Sequence, residues 1–154
     1  MEGAMSSETS QDVFEIEQPV ISCKLNITTE QHIVNGIFID FILLNQSDND
    51  LSVLTWNTPL EGFHSNLFII TDQYDERLVY HGPMTKRTGP TAIDYQLIRA
   101  KGNVATLLDL SSVYDLIPGS YKLQLNKKTL QVIENDMPMS IYQCQTDTIN
   151  FSVK

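Results

Sequence analysis

Residues 20–27, VISCKLNI, alternate apolar and polar side chains along their length. This period of two is typical of a β-strand that buries one face and exposes the other. The denser stretch 37–44, IFIDFILL, predicts a central strand that is more completely buried. No long stretch of the chain repeats with the helical period of about 3.6 residues. The chain is therefore predicted to be built from strands.

Further strand-like segments continue along the chain at residues 51–56, 66–71, 77–80, 94–98, 104–110, 120–125 and 148–153. Turn-forming residues separate them, and one helical turn is predicted within residues 111–117, capped by Ser111 or Ser112. This spacing predicts an all-β fold, an immunoglobulin-like antiparallel β-sandwich of about eight or nine strands. The side chains that we expect to be buried between two sheets are Phe41, Leu43, Trp56, Phe68 and Leu123.

Length and charge limit the organisation and the partners of the protein. The 154 residues suit one domain, and we expect a flexible acidic tail over residues 1–16 and a sandwich domain over residues 17–154. The net charge of −9 disfavours binding to nucleic acids and to anionic membrane surfaces. No apolar run approaches the roughly 18 residues that span a bilayer, and no signal peptide is recognisable. We therefore expect no nucleic-acid partner and no membrane insertion.

Two cysteines, Cys23 and Cys144, lie near the two ends of the predicted domain. Neither belongs to a C-x-x-C pair, which excludes a zinc knuckle and a thioredoxin-type motif. Two interpretations stay open. The cysteines could form a disulfide between the first strand and one of the last, which export would favour, or they could be two buried free thiols.

The familiar catalytic motifs are absent from the sequence. It contains no H-E-x-x-H, no G-x-S-x-G, no P-loop and no dinucleotide fingerprint. The three histidines, His32, His64 and His81, are scattered, so a metal site would have to be assembled by the fold. An enzyme could also pair Cys23 with His64 or His81, although a cysteine inside an alternating strand is more often part of the core. We expect no catalytic residue, no metal and no cofactor.

The segment 55–62, TWNTPLEG, contains the only tryptophan and is the first candidate binding site. In one interpretation Trp56 fills the core and Pro59-Leu60 forms a rigid corner. In the other, Trp56, Pro59, Leu60 and Glu61 form a recognition loop, because rigid loops with aromatic and proline residues suit protein partners.

The second candidate is the segment 80–90, YHGPMTKRTGP, in which Lys86 and Arg87 form a basic pair within an acidic protein. In one interpretation the loop is solvated, with an ion pair to Glu61 or Asp94 that contributes little stability. In the other, the loop presents a basic side chain to an acidic pocket of a partner.

Several of these segments occur together in one order and spacing. They are Leu54-Thr-Trp-Asn-Thr-Pro-Leu-Glu-Gly62, Val79-Tyr-His-Gly82, Lys86-Arg87 with Pro90, Asp94-Tyr95, Asp109-Leu-Ser-Ser-Val-Tyr-Asp115 and Pro118-Gly-Ser-Tyr121. This series resembles the β-sandwich region that precedes the catalytic domain in bacterial peptidyl-Lys metalloendopeptidases of the deuterolysin type. The resemblance extends from about Val20 to Val153. No zinc motif follows, so it implies the pro-region fold without the protease, or an excised fragment of such an enzyme.

The resemblance implies a domain that binds a zinc endopeptidase and inhibits or chaperones it. A protease that selects lysine needs an acidic pocket. Lys86 and Lys101 are the candidates for the basic side chain that enters this pocket, and only Lys86 matches the family pattern. One alternative is an interaction domain, for example a secreted effector, whose partner is not a protease. Another is an enzyme that uses His64, His81 and carboxylates. The compartment stays open, with a secreted or periplasmic location favoured slightly.

Overall fold

The computed structural model of the protein describes residues 20–135 and 137–154. The predicted acidic tail, residues 1–16, lies outside these residues. The strands within them are β1 (Ile21–Asn26), β2 (Glu30–Gln31), β3 (Phe38–Asn45), β4 (Leu51–Leu54), β5 (Phe68–Thr71), β6 (Tyr95–Ile98), β7 (Asn103–Asp109), β8 (Gly119–Leu125), β9 (Thr129–Ile133), β10 (Ser140–Gln143) and β11 (Ile149–Val153). Single 3-10 turns are found at Ile33–Asn35, Pro59–Glu61, Ala92–Asp94 and Leu110–Ser112.

The strands form three sheets, with the orders β1-β3-β7, β2-β11-β8-β5 and β10-β9-β4-β6. Every pairing is antiparallel except that of β2 with β11, which is parallel. The predicted all-β fold is confirmed, while its finer description as an immunoglobulin-like sandwich stays a prediction. None of the helical turns in the described residues is long and apolar enough to cross a membrane.

The core is formed by the apolar faces of these strands, as the period of two predicts. Phe41, Leu43, Phe68 and Leu123 are buried, as predicted. The expectation for Trp56 is wrong, because its ring is only half-buried. Trp56 follows the end of β4, where the chain leaves the sheet, and its ring packs against a charged side chain instead of the core.

Two local predictions differ from the structure, and three short strands have no counterpart among the predicted ones. Residues 77–80 form no continuous strand, since only Arg77 and Tyr80 make isolated bridges, to Thr71 and Tyr114. The turn that begins at Leu110 is capped by Asp109 rather than by Ser111 or Ser112, because Asp109 Oδ1 accepts the Ser111 backbone N–H at 3.0 Å. The short strands β2, β9 and β10 were not predicted.

The structure joins Cys23 to Cys144 by a disulfide, with their Cα atoms 5.3 Å apart. Cys23 lies in β1, and Cys144 directly follows β10 and donates its backbone N–H to the carbonyl of Lys128 at 2.8 Å. Of the two interpretations of the cysteines, the structure has the disulfide, which links positions 121 residues apart in the sequence.

Candidate functional site

The segment 55–62, here called the anchor loop, is held in place by its own polar groups. Thr58 is buried, donates its hydroxyl to the carbonyl of Thr55 at 2.7 Å and accepts the Leu60 N–H at 3.2 Å. It thereby caps the 3-10 turn Pro59–Glu61, whose proline fits the first position because it needs no N–H donor there. Glu61 Oε2 accepts the N–H of Asn57 at 2.8 Å. The anchor loop is therefore preorganised without any partner.

Glu61 also pairs with Arg87, 26 positions further along the chain. The Arg87 Nη2 and Glu61 Oε1 atoms are 2.7 Å apart, and the two side chains are only 19% and 10% exposed. A charged hydrogen bond is stronger than a neutral one, and where it is shielded from water the loss of one partner is costly. Of the two partners predicted for the basic pair, Glu61 and Asp94, the structure pairs Arg87 with Glu61.

The Arg87 guanidinium also lies over the Trp56 ring. Its Cζ atom is 4.9 Å from the ring centroid, within the range of a cation–π contact. Trp56, Arg87 and Glu61 thus form one connected unit, which we call the clamp. This contact accounts for the half-buried state of Trp56, because the guanidinium covers one side of the ring.

Asp94 supports the clamp from the turn that precedes β6. The backbone N–H of Thr91, which donates to Asp94 Oδ2 at 2.9 Å, lowers the pKa of the Asp94 carboxyl below its usual range. Desolvation raises this pKa, whereas hydrogen bonding from the Trp56 side chain and the positive charge of Arg87 lower it further. The Asp94 carbonyl accepts the N–H of Thr55 at 2.9 Å, which ties the turn to the anchor loop.

Residues 82–90, here called the presenting loop, are held at several points around Lys86. Before Lys86, the Tyr80 hydroxyl donates to the carbonyl of Pro83 at 2.7 Å. Thr85 donates its N–H to the carbonyl of His64 at 2.8 Å, and its Oγ1 lies 3.0 Å from His64 Nδ1. After Lys86, Arg87 is fixed by the clamp.

Lys86 itself projects between these fixed points. It is exposed, and it has no salt-bridge partner within residues 20–135 and 137–154. A surface pocket of about 430 Å³ adjoins it, lined by Trp56, Lys86, Arg87, Thr88 and Gly89. The arrangement offers an exposed cation beside an aromatic ring on a loop that is already ordered.

The structure brings together four of the six predicted binding residues, Trp56, Glu61, Lys86 and Arg87. The other two belong to the scaffold, since Pro59 is buried and Leu60 packs against the core. The sequence indicated Asp94 only as an ion-pair partner and His64 only as a possible catalytic group, and it did not indicate Thr85. Only the capping pattern of Thr91 and Asp94, three positions apart before a strand, could have indicated the positioning role of one of them.

Each of the groups considered for an enzyme makes a different contact in the structure. His64 contacts Thr85, His81 lies 3.1 Å from an Asp115 carboxylate oxygen, and Cys23 is part of the disulfide. Over the described part of the chain, no group of three or more His, Cys, Asp or Glu side chains is arranged to hold a metal ion.

A comparison of the chain with models of known protein families and with curated protein sequences found no match.

Proposed function

We propose that this protein is a non-enzymatic binding domain that resembles a protease pro-region and inhibits or chaperones a deuterolysin-type zinc endopeptidase. In this proposal Lys86 enters the acidic pocket with which such a protease selects lysine. The single observation that carries the proposal is the exposed Lys86, which has no salt-bridge partner among the described residues and lies between neighbours that are both held by tertiary contacts.

The physical basis is the low cost of ordering the loop. A mobile loop loses conformational entropy when it binds, by about 0.5–1.5 kcal/mol for each immobilised flexible side chain. In the presenting loop that cost is reduced, because Thr85 and Arg87 are already fixed by His64 and Glu61. Binding then orders chiefly the Lys86 side chain.

Electrostatics would act locally, because the chain as a whole is acidic. A net charge of −9 does not attract an acidic partner. The favourable electrostatic contribution to binding must come from Lys86 itself. Its ammonium group would be desolvated within a carboxylate-lined pocket, where an ion pair is stronger than in water. We therefore expect affinity to depend on Lys86 and only weakly on the remaining surface charges.

The test is inhibition of a purified lysine-specific zinc endopeptidase of the deuterolysin type, under non-reducing conditions that keep the Cys23–Cys144 disulfide intact. Hydrolysis of a lysine-containing reporter peptide is followed while the protein is titrated in. The proposal predicts saturable inhibition that an active-site ligand of the protease relieves by competition. Binding that this ligand does not displace would favour a partner surface other than the active site, and the absence of binding would contradict the proposal.

A further inference from the structure

We infer that the clamp makes the presenting loop resistant to hydrolysis, so that the protein occupies a lysine-selecting protease as an inhibitor and is not consumed as a substrate. The inference rests on the proposed function and adds the reason why the chain would survive the encounter. Glu61 and Arg87 are positioning residues in this scheme, because they act on the protease only through Lys86.

An exposed lysine in a loop is ordinarily a good site for proteolysis. Cleavage of a folded protein requires a segment around the bond to open locally and fit the active site of the protease. The rate then follows the population of the open form when opening and closing are fast. Contacts that close the loop therefore lower the rate of cleavage without hiding Lys86.

Such contacts lie on both sides of the two bonds that adjoin Lys86. On the amino-terminal side, Thr85 is held by its N–H bond of 2.8 Å to the His64 carbonyl and by the side-chain contact of 3.0 Å. On the carboxyl-terminal side, Arg87 is held by Glu61 at 2.7 Å and by the Trp56 ring at 4.9 Å. To open the loop at Lys86, at least one of these attachments must break.

The same contacts would act after a bond had been cut. Hydrolysis adds one water across the peptide bond and leaves a carboxylate on one piece and an amine on the other. Both pieces remain attached to the fold, the first through Thr85 and the second through Arg87. The two ends then stay at a high effective concentration, which favours loss of water and reformation of the bond over release of the product.

The chain contains a matched ion pair that can serve as a control. Asp50 accepts the backbone N–H of Ala100 at 2.8 Å and faces Arg99 at 3.9 Å. Glu61 likewise accepts one backbone N–H and faces one arginine. The Asp50 and Arg99 side chains are 46% and 80% exposed, whereas the clamp pair is shielded. The same acid-to-amide change can therefore be made at both sites.

The experiment compares the wild-type protein with Glu61→Gln and Asp50→Asn. Each is incubated with the zinc endopeptidase and, separately, with trypsin, which cuts after lysine and arginine wherever the segment around them can open. Intact mass spectrometry follows cleavage at the bonds that adjoin Lys86. We expect Glu61→Gln to be cut there at least about tenfold faster than the wild type, and Asp50→Asn to match the wild type.

Equal rates of cleavage at Lys86 in the wild type and Glu61→Gln would overturn the inference. If Glu61→Gln is cut at many positions, the whole domain has been destabilised, and the milder Trp56→Leu decides. Trp56→Leu keeps the Glu61–Arg87 pair but removes the ring beneath the guanidinium, and it must then be cut faster than the wild type at Lys86 alone. If trypsin cuts Glu61→Gln faster at Lys86 than the wild type but the zinc endopeptidase binds none of the variants, the protective effect of the clamp is supported and the proposed function is contradicted.

Discussion

Lys86 and Lys101 lie in two exposed turns, yet the structure uses the two lysines in opposite ways. Lys101 has a positive φ of 62°, and its ammonium donates to the carbonyl of Gln46 at 2.9 Å and lies 3.4 Å from Asp48. Its side chain is used to close its own turn. In the presenting loop the neighbours of Lys86 make the stabilising contacts, and no salt bridge from Lys86 is found in the part of the chain that the structure describes. Availability for a partner is therefore decided by the residues around a lysine.

The largest expected effect is a difference between the two lysines in binding. Lys86→Ala should weaken binding to the zinc endopeptidase by about 100-fold, equal to about 2.7 kcal/mol, because it removes the only group that enters the acidic pocket. Lys101→Ala should change the affinity less than about threefold. Affinities from the inhibition titration measure both. If Lys101→Ala causes the greater loss, the two loops have been assigned the wrong roles.

The next effect is on stability and compares the arginines beside these loops. Arg87→Gln should lower the free energy of unfolding by about 2 kcal/mol, because Glu61 is left shielded from water without its partner. Arg99→Gln should cost less than about 0.5 kcal/mol, because its pair is exposed. Urea denaturation followed by circular dichroism gives both values. Equal costs would mean that the clamp pair is no stronger than a surface pair.

A smaller effect is expected for the aromatic part of the clamp. Trp56→Leu should cost about 1 kcal/mol of stability, through the lost cation–π contact and the smaller apolar surface over Arg87. Trp56→Phe keeps a ring beneath the guanidinium and should cost less. The same urea denaturation applies. A loss of 3 kcal/mol or more for Trp56→Leu would instead indicate a core position, as the sequence first suggested.

The smallest effect is a dependence of the clamp on acidity. The folded pKa of Asp94 lies below its ordinary value of 3.8, so ionised Asp94 favours the folded loop. This contribution is complete well above pH 3.8 and disappears as the pH falls through the lower folded pKa. Trp56 is the only tryptophan, so its fluorescence between pH 6 and pH 2.5 reports on the loop directly. Asp94→Asn should show a smaller change below pH 4 than the wild type, and an identical titration in this variant would exclude Asp94 as a source of the change.

Much of the fold and part of the site could be predicted from the sequence. The period of two identified the principal strands, and burial of Phe41 and Leu123 follows from it. Pairing of Glu61 with Arg87 was one of two options, because opposite charges in two loops suggest an ion pair but do not specify it. The position of Trp56 could not be predicted, since an apolar ring at a strand end fits a core as well as a cation–π contact. The role of His64 could not be predicted either, because its contact partner Thr85 lies 21 positions further along the chain.

The most direct measurement is the rate at which each of the seven lysines reacts with an amine-labelling reagent, with and without the zinc endopeptidase. In the free protein Lys86 should react faster than Lys101, because the Lys101 ammonium is bound to Gln46 and Asp48. With saturating protease, Lys86 should become protected at least about tenfold, while Lys101 keeps its rate. Protection of other lysines with Lys86 unchanged, or labelling that the protease does not alter, would contradict the presentation of Lys86 to the protease.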